Sequence, residues 1–147
     1  MIIPVQLAVH GKPFLFKRVS EAVNEKVDEI LEMIELKSKS DEKASSLSYF
    51  EKQRLELGMV LASDPELLLL DEPTAGMSVE ETRKTAELIK KIAKNRSVII
   101  IEHDIQFVKQ MGTKISVMHY GSILAEGSFE DILADKKVVE AYFGTAR

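Results

Sequence analysis

The chain is 147 residues long, 45% hydrophobic and 30% charged, which is enough for one domain with a core of its own and is ordinary for a globular protein. Its net charge of −4 gives no electrostatic case for nucleic acid or anionic lipid, and the absence of Cys excludes disulfides and thiolate metal sites and agrees with a cytosolic setting. No apolar run approaches the roughly 18 residues of a membrane span, and residues 1–13 lack the charged start and long apolar centre of a signal peptide, so neither direct lipid insertion nor export is expected, while docking on a membrane protein stays open.

Residues 1–18 carry weak signals, broken by Pro4, Gly11 and Pro13. Val19, Val23, Val27, Ile30 and Ile34 then recur at steps of four, four, three and four, which predicts an amphipathic helix over residues 19–36. Residues 37–46 are polar, rich in Ser and Lys, and read as a loop. Ser48 and Glu51 stand at capping-box spacing, so a helix is predicted from there to about residue 62, with Leu55, Met59 and Ala62 on one face, closed by Asp64-Pro65.

Residues 67–73 read Leu-Leu-Leu-Leu-Asp-Glu-Pro. A short apolar run bounded by turn signals predicts a strand buried on both faces. Pro73 cannot continue a central strand, so Asp71 and Glu72 fall at its carboxyl end, where open α/β sheets place their ligands. One carboxylate there can hold Mg2+ and the next can polarise a water, which is the Walker B pattern of a P-loop ATPase. The bland alternative is a strand that simply ends in solvated acids. A second capping box, Ser78 with Glu81, opens a helix to about residue 94 with the stripe Val79, Thr82, Ala86, Ile89 and Ala93. Residues 97–101 predict another buried strand, ending in Glu102-His103-Asp104. A short helix follows over 105–111. Residues 114–119 and 122–126 predict two strands joined at Tyr120-Gly121. Ser128 caps a helix through Leu133, and residues 138–143 supply a last one. The order gives an α/β class with a small helical portion first.

Two strands whose carboxyl ends carry Asp71-Glu72 and His103 predict one shared crevice. His103 alone is more often structural than catalytic; at the tip of the strand after a Walker B strand it can hydrogen-bond a γ-phosphate or orient water. Ser48 is fully explained as a favoured N-cap, although the same geometry also makes an anion site.

Taken in order, these pieces resemble the nucleotide-binding domain of ABC transporters. Residues 47–54, Leu-Ser-Tyr-Phe-Glu-Lys-Gln-Arg, lie where that family has its signature LSGGQ followed by a basic-Gln-Arg stretch. Residues 67–73 match Walker B, Ala75-Gly76-Met77 lie at the D-loop, His103 matches the switch histidine, and Gly121-Ser122 with Ala125-Glu126-Gly127 resemble the C-terminal hairpin. The ordered match runs from about residue 45 to the end. The wording Glu-Pro-x-Ala-Gly-Met looks most like importers of branched-chain amino acids, and particularly of urea.

The resemblance implies an α/β P-loop NTPase (RecA-like) ABC ATPase core over residues 64–147, preceded over 1–63 by part of the helical subdomain and the signature helix. It implies ATP and Mg2+ as cofactors. By it, Asp71 binds Mg2+, Glu72 is the general base, His103 contacts the γ-phosphate, and Ser48 faces the second ATPase subunit. Implied partners are that second subunit and transmembrane permease subunits, which set the protein at the cytoplasmic face of a membrane.

The chain departs from the family in two places. No Gly-x4-Gly-Lys-Ser/Thr occurs in it, and that loop supplies the phosphate cradle. The expectation is therefore a C-terminal portion of the domain, lacking the P-loop strand that would lie between residues 98–101 and 114–119, and hydrolysing no ATP alone. The two signature glycines are Tyr49 and Phe50, and Gly is the residue that permits close backbone approach to phosphate. The alternative function is a non-catalytic remnant, or half of a split ATPase, that works by binding a P-loop-bearing partner.

Overall fold

A computed structural model describes residues 21–112 and 114–143. Along them run α1 (Glu21–Met33), 3-10 turns at Lys37–Lys39 and Ala44–Ser46, α2 (Tyr49–Leu61), β1 (Leu67–Asp71), α3 (Val79–Ile92), β2 (Ser97–Ile101), α4 (Ile105–Met111), β3 (Ile115–His119), β4 (Ser122–Gly127), α5 (Phe129–Ala134) and α6 (Lys136–Phe143). The helices and strands follow in the order the sequence predicts, while the two 3-10 turns fall within residues 37–46, which the sequence reads as a loop. The readings on residues 1–20, including Val19 as the first member of the helical stripe, lie outside the described residues. Two compact units divide between Ile100 and Ile101, and each is taken by itself.

In the first unit α1 buries Val23, Ile30 and Leu31. Its end is a Schellman turn. Leu36 N–H donates to Leu31 O at 2.8 Å, Glu35 N–H donates to Glu32 O at 3.0 Å, and Glu35 takes the left-handed position at φ 59° that Gly normally fills. The main core cluster joins Ile34, Leu47, Leu61, Leu68, Leu88 and Ile92, so α2, β1 and α3 close on one another around Leu68. The inward face of α2 is Arg54, Gly58 and Leu61, one residue round from the predicted stripe. Met59 is exposed, while Ala62 packs in a smaller cluster with Val23 and Ile30. The stripe misses because Arg54 reads as a surface residue, yet its charge is used at the end of α1. On α3 the buried face is wider than the predicted stripe, taking in Thr85, Leu88 and Ile92; Val79 and Ala93, placed in that stripe, are exposed.

β1 and β2 are hydrogen-bonded neighbours connected through α3. Ser97 N–H donates to Glu66 O at 3.0 Å, and Arg96 Nη2 lies 2.9 Å from Asp64 Oδ1. The two strands therefore start side by side and run the same way, as a helical crossover requires. The expectation of burial on both faces fails. Leu68 is 2% exposed, but Leu67, Leu69, Ile99 and Ile101 are 48, 67, 55 and 64% exposed. Alternate residues of a strand face opposite sides, so one side of this pair is packed and the other is open among the described residues.

In the second unit β3 and β4 pair antiparallel, His119 opposite Ser122. Tyr120 and Gly121 both have positive φ, 47° and 77°, the requirement of the type I′ hairpin turn that matches strand twist. The register shifts between Val117 and Met118, where Leu124 is the extra residue of a bulge. Val117, Ile132 and Val138 form a small core with Ile115, Leu124 and Ala125 beside it.

Candidate functional site

The two acids leave β1 through a strained step. Asp71 is the last strand residue, and Glu72 adopts φ 45°, a left-handed conformation that costs a non-glycine residue about 1–3 kcal/mol and clusters at functional sites. Two tight turns follow: Ala75 N–H donates to Glu72 O and Met77 N–H to Thr74 O, both at 3.1 Å. Gly76 closes them at φ 72°. Thr74 is buried, and Thr85 Oγ1 donates to Met77 Sδ at 3.3 Å, which ties the turn to α3. Asp71 and Glu72 are both exposed. A fixed backbone thus presents two consecutive carboxylates to solvent at the carboxyl end of a strand.

Ser48 caps α2 as the sequence predicts. Its Oγ accepts from Glu51 N–H at 3.3 Å, and its own N–H donates to Glu51 Oε2 at 2.9 Å. Lys39 Nζ lies 2.7 Å from Glu51 Oε1. The Lys39 ammonium first, then the Ser48 N–H, hold the Glu51 carboxyl below its ordinary range. The positive end of α2 therefore already carries a carboxylate of its own.

The two residues standing at glycine positions behave differently. Phe50 packs against the next turn of its own helix, with Arg54 Cζ 4.6 Å from its ring centroid. Tyr49 stays 55% exposed, its hydroxyl accepting from Gln53 Nε2 at 3.3 Å. A Cβ placed on Gly76 would stand 3.7 Å from Tyr49 Cε1. The start of α2 and the turn after the acids are thus neighbours, a contact invisible in the sequence.

Arg54 was not singled out from the sequence for any role, yet it is 4% exposed. Its Nη1 donates to Ile34 O at 3.1 Å and to Glu35 Oε2 at 2.6 Å, which fastens the end of α1 to α2. The signal was available: Arg54, Gly58 and Leu61 share a helical face.

In the second unit, Glu102 organises the segment that holds His103. The Glu102 side chain is 3% exposed, and its Oε2 accepts from His103 N–H at 2.9 Å and Asp104 N–H at 3.3 Å. The His103 side chain is 74% exposed, its Nδ1 3.9 Å from Glu102 Oε2. Asp104 Oδ1 accepts from the Gln106 and Phe107 N–H groups, capping α4, and Phe107 is fully buried. An imidazole in solvent is thereby held on a backbone locked from both sides.

A parallel β-α-β unit whose first strand ends in paired carboxylates, preceded in the chain by helices and followed by a hairpin, is of the P-loop NTPase class of α/β proteins. The comparisons with known proteins give the family. An ABC transporter family model matches residues 5–75, and a model of branched-chain amino acid ATP-binding cassette transporters matches residues 122–147. The high-affinity branched-chain amino acid transport ATP-binding protein LivG of Escherichia coli is 35% identical over 133 residues, covering 89% of this chain and 52% of that protein. Among solved structures, an ABC transporter ATP-binding cassette in its ADP conformation superposes with a TM-score of 0.80 at 29% identity, over 97% of this chain and 61% of that one. CbiO1 from Clostridium perfringens, part of an ABC transporter complex, gives 0.77 at 26% identity over 95% of this chain and 55% of that one. The chain belongs to the ABC transporter ATP-binding family and spans about half the length of the curated relatives it matches.

Proposed function

We propose that this chain supplies the hydrolytic half of the ATP site in an ABC importer of the branched-chain amino acid or urea type. The observation that carries the reading is the Asp71-Glu72 pair at the end of β1, with Glu72 held at φ 45°. Mg2+ is ordinarily held by one or two carboxylates together with waters and substrate phosphates rather than by an all-protein cage. Asp71 fits that mode, and among the described residues no cluster of three or more His, Asp or Glu forms a cage. The cation would neutralise phosphate charge. Glu72 accepts the proton of the attacking water, and His103 donates a hydrogen bond toward the γ-phosphate from its exposed imidazole.

Ser48 and Tyr49 belong to the surface facing a second ATPase subunit, and permease subunits hold the pair at the cytoplasmic face of the membrane. No helix among the described residues is long and apolar enough to cross a membrane. Catalysis in this class is mostly positioning and charge stabilisation. A chain without the Gly-x4-Gly-Lys-Ser/Thr cradle is expected to hydrolyse ATP no faster than buffer. Assembled with a P-loop-bearing polypeptide, turnover appears, and Glu72→Gln lowers it about 10²- to 10⁴-fold, the range for loss of a general base. Turnover by the isolated chain that Glu72→Gln abolishes would overturn this division of labour.

A second reading is favoured by Tyr49 and Phe50 and by the open side of the β1–β2 pair. In it the chain is a non-catalytic remnant, or half of a split ATPase, and acts by binding a P-loop-bearing partner. The effect of Glu72→Gln on the assembly's turnover separates a catalytic from a non-catalytic role. A P-loop partner whose ATPase rate is insensitive to Glu72→Gln supports the non-catalytic role.

A further inference from the structure

β2 closes on three isoleucines, and the next residue is a carboxylate put away from water. The Glu102 side chain is 3% exposed, whereas Asp71 and Glu72, at the end of β1, are exposed. A carboxylate withdrawn from water is costly unless hydrogen bonds replace the lost solvent. An apolar side chain would fill the same place without that cost, so the acid is there for its oxygens.

What the oxygens hold is the chain that follows. Glu102 Oε2 accepts from two consecutive N–H groups, His103 at 2.9 Å and Asp104 at 3.3 Å. Neither bond is needed to start α4, because Asp104 Oδ1 takes the Gln106 N–H at 2.8 Å and the Phe107 N–H at 3.1 Å, which is the N-cap of that helix. Nor does burial of His103 demand them, since that residue stands in solvent, where water can serve an N–H. The two bonds fix the direction in which the chain leaves β2. Nδ1 of His103 lies 3.9 Å from the same oxygen, outside hydrogen-bond range. The carboxylate therefore acts on the imidazole through the main chain.

We propose that Glu102 is a positioning residue for His103. It fixes the path of residues 103 and 104 before a nucleotide arrives, so the imidazole meets a phosphate oxygen without first ordering the loop. Preorganised donors are worth most where charge develops, and misplacing a positioned group by about 1 Å can lower a rate about 10²-fold. The inference rests on the reading of His103 as the γ-phosphate contact, and adds to it the group that aims the ring.

The test compares Glu102→Ala, His103→Ala and the double variant. In the whole chain, amide exchange at residues 103 and 104 should speed at least about tenfold in Glu102→Ala, the loss of a hydrogen bond to a charged group. Amides of the β3–β4 pair should keep their rates, which checks that the fold survives. In the assembly with a P-loop-bearing polypeptide and MgATP, Glu102→Ala should lower kcat about 10- to 100-fold and change KM far less. In the His103→Ala background the same substitution should change kcat less than about twofold, because a residue that acts through another then has nothing left to aim. Glu102→Gln fills the same space and should move each readout the same way by a smaller factor, which covers the case in which alanine unfolds the chain. Unchanged exchange at 103 and 104, or a fall in kcat as large without the imidazole as with it, overturns the proposal and leaves the nucleotide reading standing. Turnover insensitive to both His103→Ala and Glu72→Gln overturns the nucleotide reading, and the positioning role falls with it.

Discussion

At the scale of single residues, four left-handed backbones on non-glycine residues among those described mark where local preference yields to something else: Glu35, Asp64, Glu72 and Tyr120. Tyr120 occupies the first central position of a turn that favours Asn or Gly, and its side chain is 95% exposed. Tyr120→Asn is therefore expected to stabilise the protein by roughly 0.5–1 kcal/mol, read as a rise in denaturation midpoint. Gly121→Ala, at φ 77°, should cost about 1 kcal/mol or more for placing a Cβ in that region. Arg54→Ala removes the tie between α1 and α2 and leaves Ile34 O without that donor, an expected loss of about 2 kcal/mol. Arg54→Met keeps the stem that packs along α2 and should cost less. A larger loss for Met than for Ala would mean that the packing argument is wrong. The places of Asp71, Glu72 and His103 at and after the ends of β1 and β2 were legible because acids and a histidine follow apolar runs. The left-handed backbone of Glu72 was not, because any residue can be written there and only the turn beyond demands the conformation.

At the scale of elements, helix starts were the most legible feature. Ser48 with Glu51, Ser78 with Glu81 and Ser128 with Asp131 all form complete capping boxes, since spacing of three residues is a purely local code. Each acid sits below its ordinary value: Glu51 through Lys39 and then Ser48, Glu81 and Asp131 through the hydroxyl and N–H of their capping serines. A group that binds its proton less well in the fold than in the unfolded chain stabilises the fold fully above the ordinary value. That contribution is lost as pH falls through the lower folded value. Helical circular dichroism should therefore persist at pH 5 and fall below the ordinary values of 4.5 for the glutamates and 3.8 for Asp131. Glu51→Gln and Glu81→Gln should flatten that acid slope, and an unchanged slope would remove the caps as its cause. Which helix face turns inward was less legible. The stripe on α2 was missed by one residue because a buried arginine carries no apolar signal.

At the scale of the whole molecule, the family and the order of elements were readable from motifs in sequence, and the burial of the sheet was not. Runs of Leu and Ile announce a strand covered on both sides, but cover comes from other elements, and composition cannot say whether they are present. The open side holds Leu67, Leu69, Ile99 and Ile101, a cluster of the kind that marks interaction or aggregation. The isolated chain is expected to associate reversibly in sedimentation. Leu69→Lys with Ile99→Thr should make it monomeric without lowering its melting temperature by more than about 2–4 °C, the shift expected for a change of 1 kcal/mol or less in a domain of this size. Clean monomeric behaviour of the unaltered chain would show that the open side is not sticky.

The three serine-acid boxes also bear on the order of events after synthesis. Each closes over a few residues, so α2, α3 and α5 carry their own start signals before any distant strand arrives. Helix formation is a sub-microsecond to microsecond process, whereas pairing β1 with β2 must wait for the 25 residues between them, 72–96, to close. In stopped-flow refolding, far-ultraviolet ellipticity should recover within the dead time, and protection of amides in residues 67–71 should follow in a slower phase. Substituting Ser48 and Ser78 with alanine should shrink the early amplitude and leave the rate of the later phase nearly unchanged.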